Sequence, residues 1–434
     1  MQIGKCIGIL LLWIVGLILV VAGFNNNDPY LVPLRGMGNL LLAAASAVVV
    51  LMLLRRAAWR RRGWAGRHLV ILWCVPPLAM LAAHGVFEVR KHRVLRTEPV
   101  LARLLGQHFV VGYRSFDEVA PLAARGLIAG IYVTGRNVAG RTVDALKAEI
   151  AELQAKRRAA GLPPLVVATD QEGGIVSHLA PPLTRLPALA SLTDLAPDQQ
   201  MAKAEEFGRI HGRELASLGV NLNLAPVLDL RPAAKHNRLD FNTLIDQRAI
   251  SDDPAKVSAI AGAYIHGLES AGVSATVKHF PGLGRVRADT HHFTANLDTP
   301  VADLEATDWR PFRDVLSTTG AWLMVGHVAV SALDPARPAS HSKAVVDGLI
   351  RETWNYQGIV MTDDLVMGAI YQHDVCTAVV EALNAGVDLL LVAYDGLQFY
   401  RLFACAIDAA AQGTLDAAML HKSETRLRRA LLVD

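Results

Sequence analysis

The chain has 434 residues and a formal net charge of +3, and 52% of its residues are hydrophobic. This length predicts more than one structural unit, and the small net charge argues against a nucleic-acid-binding protein. The four cysteines show neither CxxC nor Cys/His ligand spacing, so no zinc site is predicted. The sequence leaves open whether Cys376 and Cys405 pair.

The first part of the chain contains three long apolar segments, at residues 6–24, 37–54 and 69–87. Each is close to the roughly 20 apolar residues that a helix needs to cross the hydrocarbon core of a bilayer. Arginines lie between and after these segments, as is typical of the flanks of membrane spans. We therefore expect residues 1–96 to form a membrane anchor whose three transmembrane helices contact the lipid bilayer.

The flanking charges predict the orientation of this anchor. The arginine-rich loop at 55–67 is expected in the cytoplasm, because cytoplasmic loops carry an excess of Lys and Arg. Three spans then place the rest of the chain on the extracytoplasmic side of the inner or plasma membrane, whereas the basic cluster at 90–96 favours the opposite orientation.

The first segment also has features of a cleavable secretory signal, with Lys5 ahead of its apolar core. Its cleavage would not change the side on which the large domain lies.

From residue 97 onward, short apolar runs alternate with amphipathic helical patterns. Eight strands are predicted, at residues 109–114, 129–135, 164–170, 221–229, 274–280, 321–328, 358–364 and 388–394. Several helical stretches between them end in Gly, a common helix stop. Eight strands and their helices in roughly 335 residues predict an α/β fold, a (β/α)8 barrel of the TIM type over residues 97–434, preceded by the three transmembrane helices. A doubly wound open sheet is the alternative.

Polar side chains follow several of these strands, at the edge where barrel active sites are built. They are Asp170, Asp229, His279, His327 and Asp363. Their convergence favours an enzyme over a binding scaffold.

Two segments carry groups suited to catalysis. Asp363 and Asp364 end a predicted strand, where neighbouring side chains point to opposite faces. One acid can therefore face the barrel mouth while the other caps the following helix. In the loop at 277–294, Asp289 precedes His291 by two residues. A carboxylate that binds one ring nitrogen raises the basicity of the other, which suits a general acid and base.

Two further segments predict ligand contacts. Asp170 and Glu172 precede paired glycines in DQEGG, which indicates a tight turn around a polar ligand. Arg248 lies on a long loop and is either an anchor for carboxylate or hydroxyl groups or an ordinary surface arginine. No GxGxxG turn and no HExxH motif is present, so no nicotinamide, flavin or metal cofactor is expected.

In combination, these motifs resemble glycoside hydrolase family 3. The matching segments are DQEGG (170–174), NLNLAPVLD (221–229), KHFPGLG with DTH (278–291) and MTDDLVM (361–367). They are most similar to the β-N-acetylhexosaminidase branch, whose members remove N-acetylglucosamine from cell-wall fragments. The resemblance runs from about residue 105 to 400 and implies a retaining glycosidase on a (β/α)8 barrel. The transmembrane part is not covered by it.

The resemblance also implies roles for individual residues. Asp363 would be the nucleophile that forms a covalent glycosyl-enzyme. His291 would protonate the leaving oxygen and then activate water, with Asp289 orienting it. Four residues match family positions that hold sugar hydroxyls and the N-acetyl group: Asp170, Arg248, Lys278 and His279. The implied substrate is a glycan from peptidoglycan or a related source with terminal β-linked N-acetylglucosamine.

The chain departs from the family pattern at three positions. The family usually has His at the position of Leu283 and Arg at the positions of Ile175 and His178, and the second of these Arg residues normally contacts substrate.

Two alternatives stay open beside the hydrolase. One is a β-N-acetylglucosaminide phosphorylase of the same branch, because a neutral histidine does not repel phosphate as a carboxylate would. The other is a catalytically inactive, membrane-tethered barrel that binds glycans.

Overall fold

The computed structural model describes residues 2–55, 63–233, 243–286, 288–290, 292–371 and 374–431. It divides into two compact units, Met1–Arg96 and Thr97–Asp434. Of the residues with predicted roles, His291 lies outside the described residues.

The first unit is built from three apolar helices. They are α1 (Gln2–Phe24), α2 (Met37–Arg55) and α3 (Gly63–Leu95), with a 3₁₀-helix at Pro29–Leu34 after the first. By length and composition alone, all three are apolar enough to cross a membrane. Helix α3 continues beyond both ends of the predicted third span, and Pro76 and Pro77 lie within it. Inside this unit the indole nitrogen of Trp73 donates to the carbonyl oxygen of Leu12 at 3.1 Å, which joins α3 to α1.

The second unit alternates strands and helices along the chain. Its strands are β1 (Phe109–Gly112), β2 (Gly130–Tyr132), β3 (Val166–Thr169), β4 (Gln171–Gly173), β5 (Val176–Ser177), β6 (Leu222–Asn223), β7 (Ser274–Phe280), β8 (Ala295–Leu297), β9 (Trp322–Val325), β10 (Val328–Val330), β11 (Val360–Thr362) and β12 (Leu390–Val392). Its α-helices are α4 (Pro99–Gly106), α5 (Phe116–Arg125), α6 (Gly135–Val138), α7 (Val143–Ala159), α8 (Pro197–Leu218), α9 (Ile245–Arg248), α10 (Pro254–Glu269), α11 (Val301–Ala306), α12 (Arg310–Thr318), α13 (Gly368–Tyr371), α14 (Val375–Ala385), α15 (Phe399–Gln412) and α16 (Ala417–Leu431). A π-helix covers Ala344–Thr353, and 3₁₀-helices cover Leu189–Asp194, Ala339–His341 and Gly396–Gln398.

Eight of the strands form one sheet in the order β11-β9-β7-β6-β3-β2-β1-β12, with parallel pairing between neighbours. A parallel bridge from Met361 on β11 to Leu389 beside β12 joins the two ends of this order, so the sheet is nearly closed. Each of the eight overlaps one predicted strand, in the predicted order. The barrel prediction is therefore confirmed for the core, because an open doubly wound sheet would leave its end strands unpaired.

Alternation of side chains along the strands decides which polar residues reach the barrel mouth. Ala168 on β3 and Met361 on β11 belong to one buried apolar cluster inside the barrel. Two residues further along the chain, Asp170 and Asp363 follow on the same faces of these strands. The apolar periodicity that fills the barrel thus also directs two carboxylates towards its carboxyl-terminal end.

The DQEGG segment forms a tight hairpin between β4 and β5. Gly173 and Gly174 have φ values of +92° and +63°, in the left-handed region that glycine adopts without a steric penalty. A Cβ at Gly173 would lie 2.6 Å from the carbonyl oxygen of Pro187. Both conformation and space therefore require glycine here.

A disulfide joins Cys376 on α14 to Cys405 on α15, across 29 positions of sequence, while Cys74 is a free thiol.

We expect Cys405→Ser to lower the free energy of unfolding by about 3 kcal/mol, because the open loop gains conformational entropy in the unfolded chain. Guanidinium unfolding of the wild type, with and without reductant, and of the variant measures the difference. Cys74→Ser is the matched control, and equal stability of all forms would contradict the expectation.

Candidate active site

Lys278, near the end of β7, lies at the centre of a buried ion network at the barrel mouth. Its Nζ contacts Oδ1 of Asp170 and lies 2.7 Å from Oε1 of Glu172. Arg248, at the end of α9, binds the same Glu172 through two bonds, Nη2 to Oε1 at 2.6 Å and Nε to Oε2 at 3.0 Å. Such a bidentate pair fixes direction as well as distance. Two cations are thereby held against two anions, and we call these four residues the ion network.

The ion network keeps its own members charged. Burial by itself would raise the pKa of Asp170, but Lys278 and the nearby His178 outweigh it and hold that pKa below its usual range. Burial likewise opposes ionisation of Glu172, and Arg248 and Lys278 lower its pKa overall. The pKa of Lys278 is lowered by burial and raised more strongly by the two carboxylates. The mouth therefore holds fixed charges, which are strong hydrogen-bond partners for the hydroxyl groups of a polar ligand.

His279 is oriented by Asp229, the last residue of the NLNLAPVLD motif. Its Nδ1 lies 2.6 Å from Oδ2 of Asp229, and its backbone amide donates to the same oxygen at 3.2 Å. Nη2 of Arg248 lies 3.3 Å from Nε2 of His279. Since a guanidinium only donates, Nε2 accepts and the ring proton lies on Nδ1, facing Asp229. The backbone amide of Leu283 also donates to Asp229, at 2.7 Å, and the Leu283 side chain is buried.

The two adjacent acids after β11 have different surroundings. Asp364 accepts hydrogen bonds from the backbone amides of Val366, Ala393 and Tyr394, at 3.1, 3.0 and 2.8 Å. Burial raises its pKa to about 6, against the opposing effect of these amides. Asp363 is only partly buried, and its Oδ1 accepts from the backbone amide of Asp364 at 2.8 Å. Asp364 is thus bound to backbone, whereas Asp363 is the more accessible carboxylate.

His327, which follows β9, supports the same segment from the neighbouring strand. Its Nε2 donates to the carbonyl oxygen of Asp364 at 3.0 Å, because a carbonyl can only accept. Its Nδ1 then accepts from the hydroxyl of Ser340, at 2.8 Å. The imidazole therefore fixes the peptide that follows Asp364, one residue beyond Asp363.

Asp289 is buried, and its two oxygens face different partners. Oδ1 accepts from the hydroxyl of Thr243 at 3.1 Å, and Oδ2 lies 3.9 Å from Nε2 of His292. His292 is partly exposed, with its side chain at 34%. The pairing of Asp289 with His291 stays a prediction, because His291 lies outside the described residues.

A cavity of about 860 Å³ lies at the opposite end of the barrel. It is lined in part by residues 319–321, before β9, and 354–358, before β11. None of the predicted site residues lines this cavity. We therefore locate the candidate site by the ion network and the acids at the strand ends, and not by the size of a cavity. Over the described ranges, no group of three or more His, Cys, Asp or Glu side chains is arranged to hold a metal ion.

Residues 100–430 match the family model described as the glycosyl hydrolase family 3 N terminal domain. The chain belongs to glycoside hydrolase family 3. It is 34% identical over 273 residues to a β-hexosaminidase of Nitrosomonas eutropha, an alignment that covers 62% of this chain and 74% of that protein. It is also 34% identical over 297 residues to a β-hexosaminidase of Xanthomonas campestris, covering 68% and 84%.

A solved structure supports the same family assignment. A family 3 β-N-acetylglucosaminidase from Paenibacillus sp. superposes with a TM-score of 0.68 at 30% identity, over 77% of this chain and 63% of that one. The chain thus spans less than two thirds of that protein. The family resemblance and the enzyme class predicted from sequence, a glycoside hydrolase with a carbohydrate substrate, are confirmed.

Four further residues at this barrel mouth had not been assigned a catalytic or sugar-binding role from sequence. They are Tyr132, Glu172, His178 and Asp229. Glu172 was noted as part of the DQEGG turn and Asp229 as a polar residue after a strand, but the sequence did not show which groups they bind. Tyr132 gave no signal, because a tyrosine within an apolar strand resembles any other core aromatic. Its hydroxyl donates to Oδ2 of Asp170, which only the barrel geometry reveals.

Proposed function

We propose that the chain is a retaining β-N-acetylglucosaminidase that removes terminal N-acetylglucosamine from peptidoglycan-derived or related glycans. The observation that carries the proposal is the position of the ion network at the same barrel mouth as Asp363. Asp170 follows β3 and Asp363 follows β11, and the carboxyl ends of parallel barrel strands share one face. The relatives named β-hexosaminidase support the choice of sugar.

In this proposal, Asp363 attacks the anomeric carbon and the glycosidic bond to the leaving oxygen breaks. His291 gives its proton to that oxygen, so the aglycone departs as a neutral alcohol and a glycosyl ester remains on Asp363. His291 then removes a proton from water, which attacks the same carbon and releases Asp363. Asp289 holds the imidazole in one orientation. The hydrogen bond from the Asp364 amide to Asp363 helps to fix the nucleophile.

Sugar binding is assigned to Asp170, Lys278, Arg248 and His279. The Asp170 side chain is 15% exposed, so its carboxylate can accept hydrogen bonds from sugar hydroxyls while Lys278 holds it. Arg248 and His279 are fixed by Glu172 and Asp229, so little side-chain entropy is lost when they bind a sugar. The rigid mouth suits recognition of one sugar ring.

We assign residues 1–96 to a membrane anchor and the barrel to the extracytoplasmic side. Three helices of suitable length and apolar composition support the anchor. The Cys376–Cys405 disulfide supports an extracytoplasmic barrel, because disulfides persist in oxidising compartments outside the cytoplasm. Labelling of engineered surface cysteines in intact cells tests this orientation.

Turnover of an aryl β-N-acetylglucosaminide, with and without phosphate, tests the activity. Release of free N-acetylglucosamine under both conditions is expected. A sugar phosphate formed only with phosphate would indicate the phosphorylase, and a folded chain that binds the sugar without turnover would indicate the inactive barrel.

The role of His291 predicts a dependence on the leaving group. His291→Ala should lower kcat/KM for glycosides with alkyl or sugar leaving groups by about 10²-fold or more, because these leave only when protonated. Aryl glycosides with acidic phenols should lose far less at the same bond-cleaving step. The ratio of the two losses is the measurement, and His292→Ala is the control. Equal losses on both substrate classes would argue against an acid/base role.

A further inference from the structure

Tyr132 connects two parts of the site that are distant in sequence. It lies on β2, is 5% exposed and belongs to the apolar cluster inside the barrel. Its hydroxyl contacts Oδ2 of Asp170 and lies 3.1 Å from Nδ1 of His178 on the hairpin side of the mouth. The two rings meet edge to face, with centroids 6.2 Å apart and planes at 74°. A phenol group from the core thus reaches a carboxylate assigned to sugar binding.

Counting protons gives this contact a direction. Asp170 is ionised and bound to Lys278, so its oxygens only accept. Tyr132 has one hydroxyl proton, which goes to Asp170, and burial together with the charge of Asp170 raises the Tyr132 pKa and keeps that proton on the phenol oxygen. The phenol oxygen can then only accept from His178, so Nδ1 of His178 carries a proton. The hydrogen-bond chain runs from His178 to Tyr132 to Asp170.

This hydrogen-bond chain binds the carboxylate oxygen of Asp170 that Lys278 does not bind. Lys278 holds Oδ1 and Tyr132 holds Oδ2, so rotation of the carboxylate would break one of two charge-assisted hydrogen bonds. With Lys278 alone, the carboxylate could turn about its bond to Cβ. The lone pairs that remain are thereby presented to a ligand in one direction, which lowers the entropy lost on binding.

We propose that Tyr132 and His178 are positioning residues of the sugar subsite, which hold the Asp170 carboxylate in the orientation that accepts hydrogen bonds from sugar hydroxyls. This inference rests on the proposed function, because it takes Asp170 as a sugar-binding group. His178 acts on this subsite through Tyr132, whose phenol oxygen accepts from its Nδ1.

Tyr132→Phe removes the hydroxyl and leaves the ring in the core. Loss of a hydrogen bond to a charged group should raise KM for an aryl β-N-acetylglucosaminide about tenfold, with kcat changed less than threefold. Calorimetry in an Asp363→Asn background should show the same loss of affinity for N-acetylglucosamine without any turnover. Tyr113→Phe is the matched control, because its hydroxyl donates to Glu149 at 2.7 Å, outside the ion network.

Substitutions at position 178 test whether His178 acts through Tyr132. His178→Ala should raise KM about threefold or more, and His178→Asn should restore it, because the asparagine amide can donate from the position of Nδ1. In the double variant with Tyr132→Phe, loss of His178 should add nothing further, since its partner is gone. Additive effects would show that the two residues act independently and would contradict a hydrogen-bond chain from His178 through Tyr132 to Asp170.

The outcomes separate this inference from the proposed function. An active wild type whose Tyr132→Phe variant keeps its KM and its affinity would overturn the positioning role alone. A loss confined to kcat, or to thermal stability with KM unchanged, would indicate a structural role and would also overturn it. A wild type that neither hydrolyses the glycoside nor binds N-acetylglucosamine would overturn both proposals.

Discussion

Replacing Asp363 with Asn is expected to lower kcat by roughly three orders of magnitude or more while the fold is retained. An amide oxygen is a poor nucleophile, so the covalent glycosyl-enzyme would form extremely slowly. The amide oxygen can still accept the 2.8 Å hydrogen bond that the backbone of Asp364 donates to Oδ1 of Asp363. Local geometry should therefore persist. Steady-state turnover of an aryl β-N-acetylglucosaminide, together with thermal unfolding, measures both parts of this expectation.

Asp364→Asn is the matched control, because it changes the neighbouring acid in the same way. Asp364 accepts three backbone amides on its two oxygens, and the NH₂ group of asparagine cannot accept. We expect this variant to lose thermal stability. If the Asp364→Asn variant were stable and lost more kcat than the Asp363→Asn variant, Asp364 would be the nucleophile instead. Mass spectrometry adds a direct test, since fragmentation of the labelled peptide should place a trapped sugar on Asp363 rather than on Asp364.

Lys278→Met should lower the free energy of unfolding by about 3–5 kcal/mol and abolish sugar binding. Lys278 is buried between Asp170 and Glu172, and its removal leaves two carboxylates beside the single charge of Arg248. Methionine keeps most of the apolar stem, so the loss reports the missing charge rather than a cavity. Guanidinium unfolding at neutral pH measures the difference, and calorimetry with N-acetylglucosamine measures the binding.

The matched control is Lys203→Met. Lys203 pairs with Glu206 at 2.8 Å, but both side chains are more than 40% exposed, so we expect a change below about 1 kcal/mol. Equal losses in the two variants would show that the charge of Lys278 contributes nothing specific.

The effect of Lys278→Met should also depend on pH. The folded-state pKa values of Asp170 and Glu172 lie below their ordinary range. Their contribution to stability is therefore present above about pH 4 and is lost as the pH falls through the folded-state values. In the variant, the two carboxylates accept protons more readily. The difference between wild type and variant should thus be largest near neutral pH and should shrink in acid.

Much of the fold followed from local patterns. Apolar runs alternating with amphipathic stretches predicted all eight barrel strands in order, because a strand or a helix is encoded by its own periodicity. The same alternation predicted that only one of Asp363 and Asp364 can face the mouth. Two glycines in DQEGG predicted the tight turn that their positive φ values require. Long uncharged segments likewise predicted the three apolar helices of residues 1–96.

Tertiary structure alone decided which polar groups bind each other. Lys278 and Asp170 are 108 residues apart, Arg248 and Glu172 are 76 apart, and neither pairing has a local signal. The backbone amides that bind Asp364, the pairing of Cys376 with Cys405, and the phenol of Tyr132 against Asp170 belong to the same class. The physical reason is that a buried charge needs a partner, but its identity depends on which strand ends the closing barrel brings together.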